Sequence, residues 1–278
     1  MNEIYKGYIP DIIEPDQFVL GASTLARIIL RPDGQWVDYL PEDESQVRAT
    51  ETFNCTAHAT LNCYEILFEE VLGFVRNNSD RALGIMAGTR PPGNTAHKVA
   101  QAARHGGLIK EESLPFSDDI DTPEKYYSPD PLPQPILDEG KKFLTEYEVG
   151  HEWALTGGES DWKERMMEAL QFSPLAAAVY AWQQEGGGVA RAEDLFIRPE
   201  RTQDTHLTCI VGYKKNENWV CYDSYAPYIK KLDWNFGFNQ VKRFSLIVKD
   251  PKIVDQTKIG FMQKLILLIN QLIQKLYG

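Results

Sequence analysis

Thr52-Phe53-Asn54-Cys55-Thr56-Ala57-His58-Ala59-Thr60-Leu61-Asn62-Cys63-Tyr64-Glu65 is the stretch on which the reading of this chain turns. Asn54 suits a helix N-cap, because its short side chain is able to accept from a first-turn N–H. An apolar pattern at helical spacing follows: Leu61, Tyr64, Phe68, Val71 and Leu72. One helix is therefore predicted over 54–76, with Cys55 in its first turn. There the unfilled backbone donors and the positive end of the helix dipole favour a thiolate.

Partners for a thiolate lie far downstream. His206 stands in His206-Leu207-Thr208-Cys209-Ile210-Val211-Gly212-Tyr213, and Asp223 in Trp219-Val220-Cys221-Tyr222-Asp223-Ser224-Tyr225. A thiolate, an imidazole and a carboxylate that orients it make a cysteine hydrolase site. Cys55, His206 and Asp223 are the candidate catalytic residues. Gln46 and Asn54 are the candidates for the oxyanion hole.

Between these points the chain alternates clear elements with loops. Ser79-Asp80 can cap a short helix through Met86. Gly88-Thr89-Arg90-Pro91-Pro92-Gly93-Asn94 reads as a turn-rich loop. A helix from Thr95 to His105 follows, closed by Gly106-Gly107. Residues 113–137 are rich in Pro and Asp and read as irregular. Helices are predicted over 136–147 and 161–171. From Leu175 the pattern turns to strands: Leu175 to Trp182, Thr205 to Tyr213, Trp219 to Tyr222, Lys230 to Trp234 and Arg243 to Val248. The turn Lys214-Lys215-Asn216-Glu217-Asn218 joins the second of these to the third. The implied class is α+β, a helical lobe followed by an antiparallel β lobe with the site in the cleft between them. The expected division is an N-terminal arm over 1–45, a helical lobe over 46–150, a β lobe over 151–254 and an amphipathic helix over 255–278.

The order of these features resembles the papain-like cysteine peptidases, over roughly residues 40–235. The Cys55 helix is similar to that family's nucleophile helix. Pro174-Leu175-Ala176-Ala177-Ala178-Val179 looks like the strand that follows its next helix. His206 to Tyr213 and Trp219 to Tyr225 look like its histidine strand and its Asn-Ser-Trp segment. His206 lies 151 residues after Cys55, near the ~130–150 of such sites. The resemblance implies peptide-bond hydrolysis through a thioacyl intermediate, with peptidoglycan cross-bridge amides as an alternative substrate. Ser79-Asp80-Arg81, Ala87-Gly88-Thr89, Gly107-Leu108-Ile109-Lys110-Glu111 and Asp223-Ser224-Tyr225 resemble a divergent phage branch. That implies a second alternative, a non-catalytic structural or interaction protein of a phage particle.

The departures are specific. The family's C-G-[SA]-C-[WY] signature is absent, with Asn54 before Cys55 and Thr56 after it. Asp223 stands where the family has an orienting Asn. The family's oxyanion Gln lies a few residues before the nucleophile, whereas Gln46 lies nine before Cys55.

The same residues allow other readings. His58 is a rival base three residues after Cys55. Cys55-x-x-His58 with His206-x-x-Cys209 offers four zinc ligands, but 206 and 209 point to opposite faces of a strand. Neither a cofactor nor a metal is expected. Cys63 and Cys221 read as packed thiols. Glu42-Asp43-Glu44 reads as solvated loop, and Gly186-Gly187-Gly188 as a flexible loop bordering the cleft. The net charge of −11 argues against nucleic acid as partner. Met1 to Tyr8 shows no basic start or apolar core of a signal, and four cysteines in 278 residues make no disulfide framework. Synthesis in the cytoplasm is expected, with association to a virion as an extension of the phage resemblance. In the tail, Met262, Leu265, Ile269, Leu272 and Leu276 form a seam for self-association or docking through 258–278. Polar residues interrupt it, so no membrane span is expected.

Overall fold

Helix α1 (Cys55–Leu72) is the centre of the computed structural model, which describes residues 7–14, 17, 28–184, 194–198, 203–249, 268 and 272. Nearly every α1 residue is buried, on both its faces. An apolar stripe alone predicts one buried face; here neighbours cover the helix all round, so its small residues Ala57, Ala59 and Cys63 are interior too. α1 ends earlier than the predicted 76. Gly73 takes φ +69°, and its N–H donates to Glu69 O, the left-handed stop that glycine adopts without strain.

Short polar side chains set the next helices. Ser79 caps α2 (Asp80–Met86) by accepting from the Ala82 N–H. Thr95 caps α3 (Ala96–Gly106) by accepting from the Lys98 N–H. Asp11, from far earlier in the chain, accepts from the Ala96 and His97 N–H groups at 3.0 Å each. The stretch 113–137 is less irregular than expected: Thr122 caps the short α4 (Pro123–Tyr126), and α5 (Gln134–Glu146) starts within it.

The strands β1 (Gly7–Tyr8) and β2 (Gly93–Asn94) pair in parallel as a separate two-stranded sheet. The main sheet contains β3 (Tyr147–Leu155), β4 (Leu175–Val179), β5 (Gln183–Gln184), β6 (Leu195–Ile197), β7 (His206–Lys214), β8 (Asn218–Tyr222), β9 (Ile229–Asp233) and β10 (Val241–Val248). Its order is β3-β10-β4-β7-β8-β9-β6-β5, antiparallel except between β6 and β9. Helix α6 (Trp162–Leu170) joins β3 to β4. β3 was not expected, although Tyr147, Val149, Trp153 and Leu155 alternate in the period of a strand. Its polar positions, Glu148, His151 and Glu152, mask the signal. They are tolerated because β10 answers them: Arg243 pairs with Glu152, both essentially buried. The expected C-terminal helix over 255–278 lies outside the described residues save Leu268 and Leu272, as does the Gly186-Gly187-Gly188 loop. No helix among the described residues is long and apolar enough to cross a membrane.

One buried cluster ties the start of the chain to the sheet. Lys242 on β10 is 1% exposed. Its Nζ lies 3.3 Å from His97 Nδ1, 3.4 Å from His151 Nδ1 and 3.5 Å from the Trp153 ring centre. Burial holds the Lys242 amine below the usual lysine range, against the pull of Asp11. The unfolded chain therefore keeps this proton to higher pH than the folded chain does. Stability should rise with pH between the two values, by about 1.4 kcal/mol per pH unit where the states differ by one proton. Lys242→Met is expected to flatten that rise. Urea denaturation at pH 7 and pH 9 is the check, and an unaltered slope in the variant would show that Lys242 is charged in the fold.

Candidate active site

Cys55 is the first residue of α1, and α1 packs along β7, which begins at His206. The Leu207 N–H donates to Cys55 Sγ at 3.4 Å, so the sulfur lies against the backbone next to the histidine. His206 Nε2 meets Asp223 Oδ1 at 2.5 Å, with both side chains wholly buried. His206 Nδ1 is buried and has no hydrogen-bond partner among the described residues. The carboxylate thus orients the ring through one nitrogen and leaves the other without a competing bond.

Asp223 is held at four points. Oδ1 also accepts from the Ser224 N–H at 2.9 Å. Oδ2 accepts from Lys230 Nζ at 2.7 Å and from Trp182 Nε1 at 2.9 Å. Burial alone would raise this carboxyl, but the charges of His206 and Lys230 and their hydrogen bonds outweigh it. They hold Asp223 well below the usual carboxylate range. The Trp182 and Tyr225 rings pack on the imidazole at 5.7 and 5.3 Å between ring centres. Sequence reasoning missed both Lys230 and Trp182. The alternation in Ile229-Lys230-Lys231-Leu232 was the available signal, because it puts Lys230 on the same face as Leu232, which is buried.

The two oxyanion candidates part company. Gln46 is wholly buried beside the site. Its Oε1 accepts from Ser224 Oγ at 2.7 Å, and its Nε2 donates to Glu51 Oε1 and Tyr225 Oη, each at 2.7 Å. The loop between Gln46 and Cys55 folds back on itself, Thr52 N–H and Oγ1 both bonding to Gln46 O. That fold absorbs the nine-residue gap. Asn54 faces the other way. Its Nδ2 donates to Asp80 O at 2.8 Å and to Tyr126 Oη at 2.9 Å, so both its donors are spent outside the site. Its side chain does not cap α1 either, contrary to the expectation from sequence, because Gly84 of α2 packs against that amide.

The sulfur is not the exposed thiolate that its position on the helix suggests. Cys55 is wholly buried, and burial pushes its thiol well above the usual range, with Glu51 and Asp223 adding to the rise. The Leu207 and Thr56 N–H groups offset only part of it. Tyr8, Tyr127 and Tyr225 all stand close enough to sense its charge. Tyr8 comes from β1, which packs against both α1 and β7. The Tyr8 N–H approaches Thr205 O at 3.4 Å, next to His206. A Cβ on Gly7 would meet Phe53 O at 2.4 Å, two residues before Cys55. The Ile9 N–H donates to Asn94 O at 2.9 Å. Desolvation of the sulfur outweighs the helix terminus.

The remaining candidates find other partners. His58 Nδ1 lies 3.0 Å from Asp80 Oδ2, and burial lowers the imidazole to about 3, so it stays neutral. Cys209 Sγ lies 3.4 Å from Cys63 Sγ. His58 and Cys209, one from each half of the zinc pattern, therefore turn to different partners. Glu44, read as solvated, instead brings a carboxylate oxygen within 4.8 Å of ligand atoms of His58 and Asp80. These three are the described residues whose geometry suits a cation.

No protein-family model and no curated protein matches the sequence. Solved structures do match in shape. The proform of the Amb a 11 cysteine protease, a major ragweed pollen allergen, superposes with a TM-score of 0.55 at 17% identity, over 82% of this chain and 69% of that one. Digestive procathepsin L 3 of Tenebrio molitor larval midgut gives 0.56 at 12%, over 87% and 77%. At such identities the likeness is one of fold. In its helices, its sheet and their order, the chain has the papain-like α+β fold.

Proposed function

We propose that the chain is a cysteine peptidase whose nucleophile is Cys55, held shut by its own Gly7–Tyr8 segment. The observation that carries the reading is the pairing of His206 Nε2 with Asp223, which leaves the buried Nδ1 without a bond on the residue next to Leu207, whose N–H donates to Cys55 Sγ. On this reading Nδ1 takes the Cys55 proton and Asp223 keeps the imidazolium in register. The thiolate attacks an amide carbonyl. The Cys55 N–H and Gln46 Nε2 hold the oxyanion, the latter giving up one of its present acceptors. The imidazolium then protonates the leaving amine, and water releases the thioacyl enzyme. A side-chain oxyanion donor of this kind is worth ~10²–10³ in rate.

The substrate is a peptide or protein, and the test compares three materials. Casein, a set of short fluorogenic peptides and peptidoglycan are incubated with the protein across pH 5–8, with β1 in place and with β1 loosened as described below. Release from casein or peptides supports the peptidase. Clearing of peptidoglycan alone transfers the same residues to cross-bridge amides. A folded protein with β1 loosened that cleaves nothing and takes up no thiol-directed electrophile would leave the fold in a non-catalytic role.

A further inference from the structure

Lys230 is a buried cation that the catalytic scheme above does not use, and its surroundings give it one task. It is 1% exposed. Nζ donates to Asp223 Oδ2 at 2.7 Å, to Tyr225 O at 2.5 Å and to Pro227 O at 2.6 Å, which uses the three donors of an ammonium. The ammonium also lies 5.1 Å from the Trp182 ring centre. A buried charge is retained only when paired and hydrogen-bonded. Here the pairing is with the carboxylate that His206 meets.

We infer that Lys230 is a positioning residue: its ammonium balances Asp223 and aims it, so that His206 meets an oriented acceptor of nearly zero net charge. The inference rests on the proposed function and deepens it. A bare buried carboxylate would stabilise the imidazolium strongly, and an imidazolium held too firmly is a poor donor to a leaving amine. The Asp223–Lys230 pair presents an acceptor oxygen without that excess charge, much as a side-chain amide would. The same ammonium ties down the carbonyls of Tyr225 and Pro227, and so fixes the turn that carries Tyr225 over the imidazole. The other titratable groups facing the pair are Cys55 and His58 on α1, Glu51 before it, Cys221 on β8 and Tyr225.

The test is a double-mutant cycle of Lys230→Met, Asp223→Asn and the two together, each in the Gly7→Val background that uncovers the sulfur. The rate of Cys55 labelling by a chloromethyl ketone peptide is read against pH. Lys230→Met should move the alkaline limb of that profile up by about one to three pH units, since the imidazolium is then over-stabilised. Asp223→Asn should move it down, because Lys230 is left facing the ring. The double variant, with neither charge, should return the limb close to its starting point. A merely structural Lys230 would lower labelling at every pH without moving the limb, and a limb that stays put in all three variants overturns the inference. If no variant labels, the peptidase reading has failed. The ¹⁵N resonances of the His206 ring, titrated in the same set, still decide the role of Lys230. If Lys230→Met does not fold, the double variant carries no unpaired buried charge and is compared with Asp223→Asn. Limbs that coincide in those two overturn the inference.

Discussion

In the Gly7→Val background, Cys55→Ala is expected to abolish uptake of a thiol-directed peptidyl electrophile, and to reduce any peptide hydrolysis by a factor on the order of 10⁴ or more. The expectation is sharp because the other thiols are poor decoys. Cys63, Cys209 and Cys221 are all buried. Cys63 and Cys209 face each other, and Thr208 Oγ1 lies 2.9 Å from Cys221 Sγ. Burial also pushes the Cys209 and Cys221 thiols well above their usual range. Cys63→Ala should label as the parent does. Intact-mass spectrometry after timed exposure reads both variants. Equal labelling of Cys55→Ala and the parent would remove Cys55 from the mechanism.

Gly7→Val should have the opposite effect and raise the labelling rate at Cys55 by about tenfold or more. Gly7 has φ +112°, and a side chain there would run into Phe53 O. Valine meets both penalties, since a β-branched residue rarely adopts such a φ. The segment must then leave Phe53 and Thr205, and on the proposed reading the sulfur loses the cover that desolvates its thiolate. Each ~1.4 kcal/mol taken from docking of the segment opens the site about tenfold more often. The substitution touches the cover and not Cys55, His206 or Asp223, so faster labelling with unchanged circular dichroism isolates the cover. No change in rate would mean that β1 does not limit access. Gly93→Ala approaches the same contact from the other side, where a Cβ would meet Gly7 O at 2.0 Å.

These two results bear on how much of the protein can be read from its residues in order. Local rules located α2 and α3 almost to the residue, because Ser79 and Thr95 bond to the N–H groups of their own first turns and Gly107 ends α3 at φ +79°. The hairpin of β7 and β8 was likewise legible from its polar turn and its alternating flanks. Residue type and order also singled out His206 and Asp223, whose side chains meet, and Cys55, which accepts from the Leu207 N–H next to His206. Asn54 shows where such rules stop. It has the residue type of a cap and the position of an oxyanion donor. The packing of α2 and Tyr126 took its amide for another purpose.

Residue order alone indicated the helices with local caps and the strand-rich second half, and it singled out a thiol, an imidazole and a carboxylate as candidates. All of these rest on interactions within a few residues or on the chemistry of single side chains. Packing between distant parts of the chain decided that β3 is a strand, that Gln46 bonds to Ser224 and Tyr225, that Lys230 and Lys242 are interior, and that Gly7 and Tyr8 lie against Phe53 and Thr205. Each of those outcomes depends on desolvation and on a partner brought from a distant part of the chain. A lysine or a glutamate in isolation reads as surface until the group that answers its charge has been placed beside it.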